Sequence, residues 1–146
     1  MAGDTMSVDS NQSSTIARFD VLYMHDSWLD RIEIRTGGKE VLLSLDWVKV
    51  LKNAEADPFD PLETIKPALL RLTDVRSVQF EGVDADCAYQ LNACVVYDSV
   101  APCESSEFLE FTFIMTGGFN QDGSMVKLKV VAKDFQLERL GSKSPG

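Results

Sequence analysis

The segment LDRIEIRTGGKEVLLSLDWV, residues 29–48, decides the fold that this sequence predicts. Two runs rich in alternating apolar residues flank Gly37-Gly38, and paired glycines permit the positive φ angles of a tight hairpin turn. A two-residue loop at these glycines fixes which residues lie opposite one another, so the segment predicts a β-hairpin with one buried apolar face. The predicted register pairs Ile34 with Val41, Ile32 with Leu43, and Trp28 with Trp47.

A second hairpin is predicted between residues 109 and 132. Apolar side chains occupy every second position of residues 109–115 and again of residues 126–132, and turn-forming glycines separate the two runs. Residues 76–81 predict one more strand, whereas the apolar run 93–98 fits either a buried strand or a helical turn. We expect a mainly β fold of about six antiparallel strands, in a sandwich or a strongly curved sheet, with at most one short helix. Residues 62–65 are the candidate for that helix.

Length and composition indicate one globular domain. The chain has 146 residues, of which 45% are hydrophobic and 25% are charged. Residues 1–15 are polar and predict a disordered lead-in, residues 16–140 predict a single β-rich domain, and residues 141–146 predict a flexible tail. No apolar run approaches the ~20 residues that span a bilayer, and residues 1–15 lack the features of a signal peptide. We therefore expect a cytoplasmic protein that binds no membrane.

The three cysteines, Cys87, Cys94 and Cys103, agree with a reducing compartment. Their number is odd, and their spacings match neither a redox pair nor a zinc site. The sequence therefore predicts buried structural thiols that form no metal site.

The acidic stretch, residues 77–126, contains eight acidic residues and neither lysine nor arginine. Most of the net charge of -9 belongs to this stretch, because acids exceed bases by only one in the rest of the chain. Such a charge repels nucleic acid and attracts basic surfaces. We therefore expect no nucleic-acid binding, and we expect acidic side chains of this stretch to contact a basic protein partner. The predicted contact residues are Glu81, Asp84, Asp86, Asp98, Glu104, Glu107 and Glu110.

His25-Asp26-Ser27 is the one sequence that resembles part of a catalytic site. His25 is the only histidine of the chain, so the further histidines of a His-Asp metal site are missing. Adjacent residues of an extended segment point apart, which argues against a Ser-His-Asp triad. We expect Asp26 or Ser27 to hydrogen-bond to the backbone before the first hairpin and His25 to pack on or bond into a loop, and we expect no enzyme activity, cofactor or metal.

Four short motifs carry a resemblance to a group of known proteins. They are the sequence from Phe19 to Leu29, the Val-x-Phe-x-x-Val motif at residues 78–83, the aromatic strand at residues 108–113 and the Phe-x-Leu-Glu motif at residues 135–138. In this order they resemble small uncharacterised β-rich bacterial proteins, some of which are similar to immunity proteins of polymorphic toxin systems. The resemblance implies no particular functional residues.

Two functions remain open at this point. The first is a non-enzymatic interaction module, such as an immunity or inhibitor protein, that binds a basic partner such as a toxin through its acidic surface. The alternative is a small-molecule-binding β-barrel or sandwich, in which Trp28, Trp47, Phe111 and Phe113 line a cavity or fill the core. The sequence leaves the oligomeric state open.

Overall fold

The computed structural model describes residues 10–37, 39–82, 93–103, 107–117 and 125–140. Within these ranges it contains one helix, α1, at Ser10–Asp20, and eleven strands. In chain order the strands are β1 Leu22–Tyr23, β2 Trp28–Arg35, β3 Glu40–Leu45, β4 Val48–Val50, β5 Glu63–Ile65, β6 Ala68–Thr73, β7 Ser77–Glu81, β8 Ala93–Pro102, β9 Leu109–Gly117, β10 Val126–Ala132 and β11 Asp134–Arg139.

The strands form two antiparallel sheets. A small sheet has the order β1-β4-β5, and a large sheet has the order β11-β6-β3-β2-β8-β9-β10-β7. The predicted mainly β, antiparallel fold is therefore confirmed, but the expected number of six strands is too low. The prediction of a helix at residues 62–65 is also wrong, because residues 63–65 form strand β5.

Two long strands close the large sheet on itself. Each bends at a corner and is numbered as two strands, β6 with β7 and β10 with β11. β6 pairs with β11, where Leu72 lies opposite Phe135, and β7 pairs with β10, where Val78 lies opposite Val130. Only residues 74–76 separate β6 from β7, and only Lys133 separates β10 from β11. Because β6 also pairs with β3, and β10 with β9, pairing continues through β2 and β8 around a complete circle. The high strand count arises from these two corners and from the short strands of the small sheet.

The chain turns from β6 into β7 at Asp74. Asp74 has a φ angle of 52°, in the left-handed region that Asp occupies more readily than most residues. The backbone amide of Lys133 donates to the Thr73 carbonyl, and that of Arg76 donates to the Val131 carbonyl. These two bonds hold the bent strands together where the regular ladder is interrupted.

The first hairpin forms, but half of its predicted register is wrong. Ile34 lies opposite Val41 and Ile32 opposite Leu43, as predicted. A bulge between Leu29 and Arg31 then shifts the register by one residue, so that Leu29 lies opposite Leu45. A shift of one residue moves the following side chains to the other face of a strand.

Trp28 is consequently on the outside. It pairs with Cys94 of β8 instead of lying opposite Trp47, and it is 40% exposed. The predicted buried contact between the two tryptophans is therefore wrong, and Leu29 takes the buried position instead.

The second hairpin is confirmed in full within the described residues. Val126 lies opposite Met115, and Val130 lies opposite Phe111. All eight of the alternating apolar residues of β9 and β10 are at most 1% exposed. The ambiguous run at residues 93–98 is a strand, since it belongs to β8. The predicted turn signals at residues 118–124 lie outside the described residues.

The helix α1 corrects the predicted N-terminal boundary. Residues 10–15, which were expected to be disordered, form the first half of α1, while residues 1–9 and 141–146 lie outside the described residues. Gln12, Thr15 and Phe19 are buried and recur at helical spacing, so they form one face of α1. Two of the three are polar, which explains why an apolar pattern did not reveal the helix. Within the described ranges, no helix has the length and apolar character needed to cross a membrane.

Phe19 fills the space that the closed sheet encloses. It is 1% exposed, and its ring makes edge-to-face contacts with Phe111, Phe113 and Phe135 at centroid distances of 5.2, 6.2 and 5.4 Å. Such contacts add to the free energy gained from burying the ring. Gln12 fixes the start of the same helix, because its Nε2 donates to the Phe108 carbonyl at 3.1 Å.

We predict that Phe19→Ala lowers the free energy of unfolding by about 3–5 kcal/mol, because it leaves a cavity among buried rings. Trp28→Ala removes a larger but partly exposed side chain, and it should cost less than half as much. Urea denaturation monitored by circular dichroism measures both changes. Equal losses for the two variants would contradict the buried position of Phe19 and the outward position of Trp28.

Candidate functional site

Four of the seven predicted contact residues lie in the described part of the chain, at the end of β7, on β8, on β9 and just before β9. Asp84, Asp86 and Glu104 lie outside the described residues. Glu81 is at the end of β7, and its carboxylate lies 3.3 Å from the Lys129 ammonium. Glu107 precedes β9, and its carboxylate lies 3.3 Å from the Lys133 ammonium. Two of the described acids are therefore already next to a cation.

Glu110 and Asp98 lie on opposite faces of the large sheet. Glu110 alternates with the buried residues of β9, so it points outward. Asp98 lies opposite the inward-facing Phe113, because a bulge between Val95 and Tyr97 shifts the register of β8. Asp98 is consequently half-buried, near Asp20 at the end of α1 and near His25.

The environment of Asp98 favours its protonated form. Burial and, secondarily, the nearby Asp20 carboxylate raise the pKa of Asp98 to about 6, while His25 acts in the opposite direction. Burial also raises the pKa of Asp20 from its ordinary value. Asp98 therefore belongs to the interface between α1 and the large sheet, and it is poorly placed to meet a partner.

The segment His25-Asp26-Ser27 joins the two sheets. The Ser27 side chain is fully buried, and its Oγ accepts a hydrogen bond from the Trp47 backbone amide at 3.2 Å. The Ser27 and Asp26 backbones bond to Val95 of β8, and Asp26 has a φ angle of 76°. The predicted backbone bonding before the first hairpin is thus confirmed for Ser27. His25 Nδ1 lies 3.3 Å from an Asp26 carboxylate oxygen, on the exposed side of the turn.

The described cysteines are unpaired thiols. Cys94 and Cys103 are half-buried, so the predicted burial of the thiols holds only in part for these two, and Cys87 lies outside the described residues. Burial raises the pKa of both thiols, and neighbouring carboxylates raise it further. A raised pKa disfavours the nucleophilic thiolate. Within the described ranges, no group of three or more His, Cys, Asp or Glu residues is arranged to hold a metal.

The outer face of the small sheet carries an aromatic cluster. Val48, with Val50 and Ile65 beside it, packs against the core, so the intervening Lys49 points outward. Tyr23 lies opposite Lys49 in the ladder, and Trp47 is two residues before it in the chain. Both rings therefore lie on the same face as Lys49, and they stack with an interplanar angle of 17°.

Three rings surround the Lys49 ammonium. Its Nζ lies 5.3 Å from the ring of Trp47, 5.4 Å from that of Phe59 and 5.9 Å from that of Tyr23. These distances are within the range of cation–π attraction, in which an ammonium approaches the negative face of an aromatic ring. We call Tyr23, Trp47 and Phe59 the aromatic cage.

The β4–β5 loop, residues 51–62, completes the cage and surrounds it with negative charge. The Lys49 ammonium donates to the Pro58 carbonyl at 3.0 Å, and the Asp57 carboxylate accepts from the Phe59 amide at 2.9 Å. These bonds hold Phe59 out from the surface, where it is 89% exposed. From residue 53 to residue 62 the loop contains three acids and no base.

The sequence patterns did not predict this site, because the expected register placed Trp47 on the buried face of the first hairpin. Trp47 and Lys49 are two residues apart in an extended segment, which is the one local signal that places them on one face. Tyr23 and Phe59 are far from them in the chain, and they join the cage only through the pairing of β1 with β4 and the path of the β4–β5 loop.

A cleft lies between α1 and the corner of the bent strands. This cleft of about 400 Å³ is lined by charged side chains that include Arg18, Lys133 and Asp74. Arg18 forms a 2.6 Å ion pair with Asp134, and Lys133 pairs with Glu107. Because these lining charges largely neutralise one another, the cleft offers little attraction to a charged ligand.

Comparisons with known proteins give no family. No protein-family model matches the chain, and no curated protein matches it. The chain is similar to the crystal structure of an uncharacterized protein from Neisseria gonorrhoeae, with 13% sequence identity and a TM-score of 0.40. The match covers 82% of this chain and 96% of that protein. A likeness of this degree carries no information about function.

We predict that Asp98→Asn stabilises the protein at pH 7. An unfolded aspartate titrates near pH 4, so between about pH 4 and pH 6 the folded chain binds more protons at Asp98 than the unfolded chain does. Stability is therefore lost as the pH rises through this interval. The variant should recover up to about 3 kcal/mol at pH 7 and show a flatter pH dependence.

Urea denaturation at several pH values measures this effect. Asp60→Asn changes an exposed aspartate in the β4–β5 loop, so it controls for the change in net charge. An Asp98→Asn variant that is less stable than the wild type at pH 7 would show that the carboxylate is required in its charged form.

Proposed function

We propose that this protein is a non-enzymatic interaction module that binds a basic protein partner through the aromatic cage and its acidic surroundings. The observation that carries the proposal is Phe59, a large apolar side chain that is 89% exposed on a loop held by hydrogen bonds. Exposed aromatic residues are enriched among the residues that dominate binding at protein interfaces.

The charge of the β4–β5 loop supports a basic partner. Glu55 and Asp60 are exposed, and neither makes an ion pair with another described residue. Unpaired surface carboxylates attract a cationic protein during its approach, which raises the rate of association. In contrast, Glu81 and Glu107 of the acidic stretch lie beside lysines, and Asp98 is half-buried.

The resemblance to immunity proteins is consistent with this proposal. An immunity or inhibitor protein binds a toxin and need not carry out a reaction, so a binding surface without a catalytic group would suffice. A basic toxin carries the positive charge that the site favours in a partner. The module would then act by covering a cationic surface of that partner.

The small-molecule-binding alternative has less support. Phe111 and Phe113, which could have lined a ligand cavity, are buried in the core against Phe19. Trp28 and Trp47 lie outside the core. The four aromatic residues therefore do not surround a common space.

We predict that reversing two charges of the β4–β5 loop slows association with a basic partner. In Glu55→Lys/Asp60→Lys, the on-rate for a cationic lysine- and leucine-containing peptide should fall about tenfold at low ionic strength. The dependence of the rate on salt should also become flatter, because fewer charges then contribute to steering. Stopped-flow tryptophan fluorescence measures both quantities.

Glu107→Lys/Glu110→Lys is the matched control, since it makes the same change in net charge within the acidic stretch. It should alter the on-rate much less than the first variant does. If it slows association equally, overall charge accounts for the attraction. If it alone slows association, the binding surface is the acidic stretch that the sequence first indicated.

We predict that Phe59→Ala weakens binding without unfolding the protein. The affinity for the same peptide should fall about tenfold, since an exposed aromatic anchor is removed. The stability should change by less than about 0.5 kcal/mol, because the ring is mostly in solvent. Phe80→Ala, at a partly exposed position on β7, is the control, and it should leave the affinity unchanged. Equal losses of affinity in both variants would contradict a role for the cage.

A further inference from the structure

The aromatic cage already holds a cation, and that cation belongs to the chain itself. The Lys49 ammonium lies between 5.3 and 5.9 Å from the centres of the three rings. It also donates to the Pro58 carbonyl at 3.0 Å. Ring faces and one carbonyl oxygen are together the groups that recognise a desolvated ammonium ion.

The same groups define what else the cage accepts. The carbonyl oxygen requires a donor, which a primary ammonium or a guanidinium supplies and a quaternary ammonium lacks. The three rings favour positive charge over a neutral chain of the same length. The chemistry of the cage is therefore that of a lysine or arginine side chain.

The contacts of Lys49 allow it to be replaced. Lys49 extends from β4 on a flexible four-carbon stem, and it forms no ion pair with a described carboxylate. One wall of the cage, Phe59, is a loop residue that is 89% exposed. An incoming cation can thus reach the rings while Lys49 turns to solvent, where an ammonium is well hydrated.

We propose that Lys49 is an internal occupant of the aromatic cage, and that a lysine or arginine side chain of the basic partner replaces it on binding. This inference rests on the proposed function, because it identifies the chemistry of the partner group that enters the site. Lys49 then acts as a competitor, and the apparent affinity is the intrinsic affinity multiplied by the fraction of time for which the cage is empty. The exchange restricts binding to partners that can offer a suitably placed cation.

The test uses the full chain and a small probe. N-acetyl-lysine N-methylamide is titrated into the wild type and into Lys49→Ala, and the indole NMR signal of Trp47 reports its binding. We expect Lys49→Ala to bind the probe about tenfold more tightly than the wild type does. This factor corresponds to a wild-type cage that Lys49 leaves empty about one tenth of the time. Lys52→Ala removes an exposed lysine from the adjoining β4–β5 loop, and it should bind like the wild type.

Two further measurements make the result specific. N-acetyl-norleucine N-methylamide, which lacks the charge, should not bind to Lys49→Ala. Adding Phe59→Ala to Lys49→Ala should reduce probe binding about tenfold, since one wall of the cage is lost. The dispersion of the backbone amide spectrum shows whether each variant is folded, and Lys49→Gln is the substitute if Lys49→Ala is not.

The inference is overturned if the open cage binds the lysine probe no better than the wild type does, or if it binds the norleucine probe equally well. It is also overturned if Lys49→Ala alone self-associates, because a second copy of the chain would then be the occupant. Since the probe contains no partner, these outcomes are independent of the charge-reversal rates. If the probe titration fails, the acidic loop remains the proposed attractive surface. If the charge-reversal experiment fails, the inference about the cage is unaffected.

Discussion

The packing of Phe19 against Phe111, Phe113 and Phe135 is the interaction on which the rest of the structure depends. A closed sheet with aromatic side chains on its inner face needs a residue to fill its centre, and α1 supplies one from outside the sheet. Burial of Phe19 fixes the position of α1. It thereby fixes the chain that follows, in which Leu22 and Met24 are buried and Tyr23 points the other way.

This alternation connects the core to the aromatic cage. Leu22 and Val48 face the interior, so Tyr23 and Lys49 must face outward on the paired strands β1 and β4. The buried Ser27 hydroxyl accepts a hydrogen bond from the Trp47 backbone amide and thereby positions Trp47 beside Tyr23 and Lys49. The cage is therefore on the outer side of a well-packed small sheet, and two of its rings, Tyr23 and Trp47, are positioned by buried residues. Such support gives a binding surface its defined geometry.

The distribution of charge looks different in space from its distribution in the sequence. The acidic stretch is the longest segment without a base, yet β10 brings Lys129 beside Glu81, and the following corner brings Lys133 beside Glu107. The β4–β5 loop is a shorter acidic segment, but its exposed carboxylates Glu55 and Asp60 remain without a described cation. Strand pairing thus places two acids of the acidic stretch beside lysines, whereas Glu55 and Asp60 have no such neighbour among the described residues. The position of the β4–β5 loop beside three aromatic rings supports the proposal that the small sheet is an interface.

Local patterns determined the parts of this protein whose pairing involves near neighbours in the chain. The alternating residues of β9 and β10 specified a complete register, because every second side chain is buried and a slip would expose all of them. The expected two-residue loop at Gly37-Gly38 specified the outer half of the first hairpin, because the loop length sets which residues lie opposite one another.

Tertiary structure decided what depends on contacts between distant segments. The bulge beside Leu29 lies where β2 pairs with β3 on one side and with β8 on the other, and it turned Trp28 outward against the local pattern. The helix α1 has a polar buried face, because Gln12 bonds to the distant Phe108 carbonyl and Thr15 to the Asn11 carbonyl one turn earlier. The aromatic cage needs Tyr23, Trp47 and Phe59 to meet around one ammonium. No periodicity encodes that meeting, since it follows from the closure of one sheet and the pairing of another.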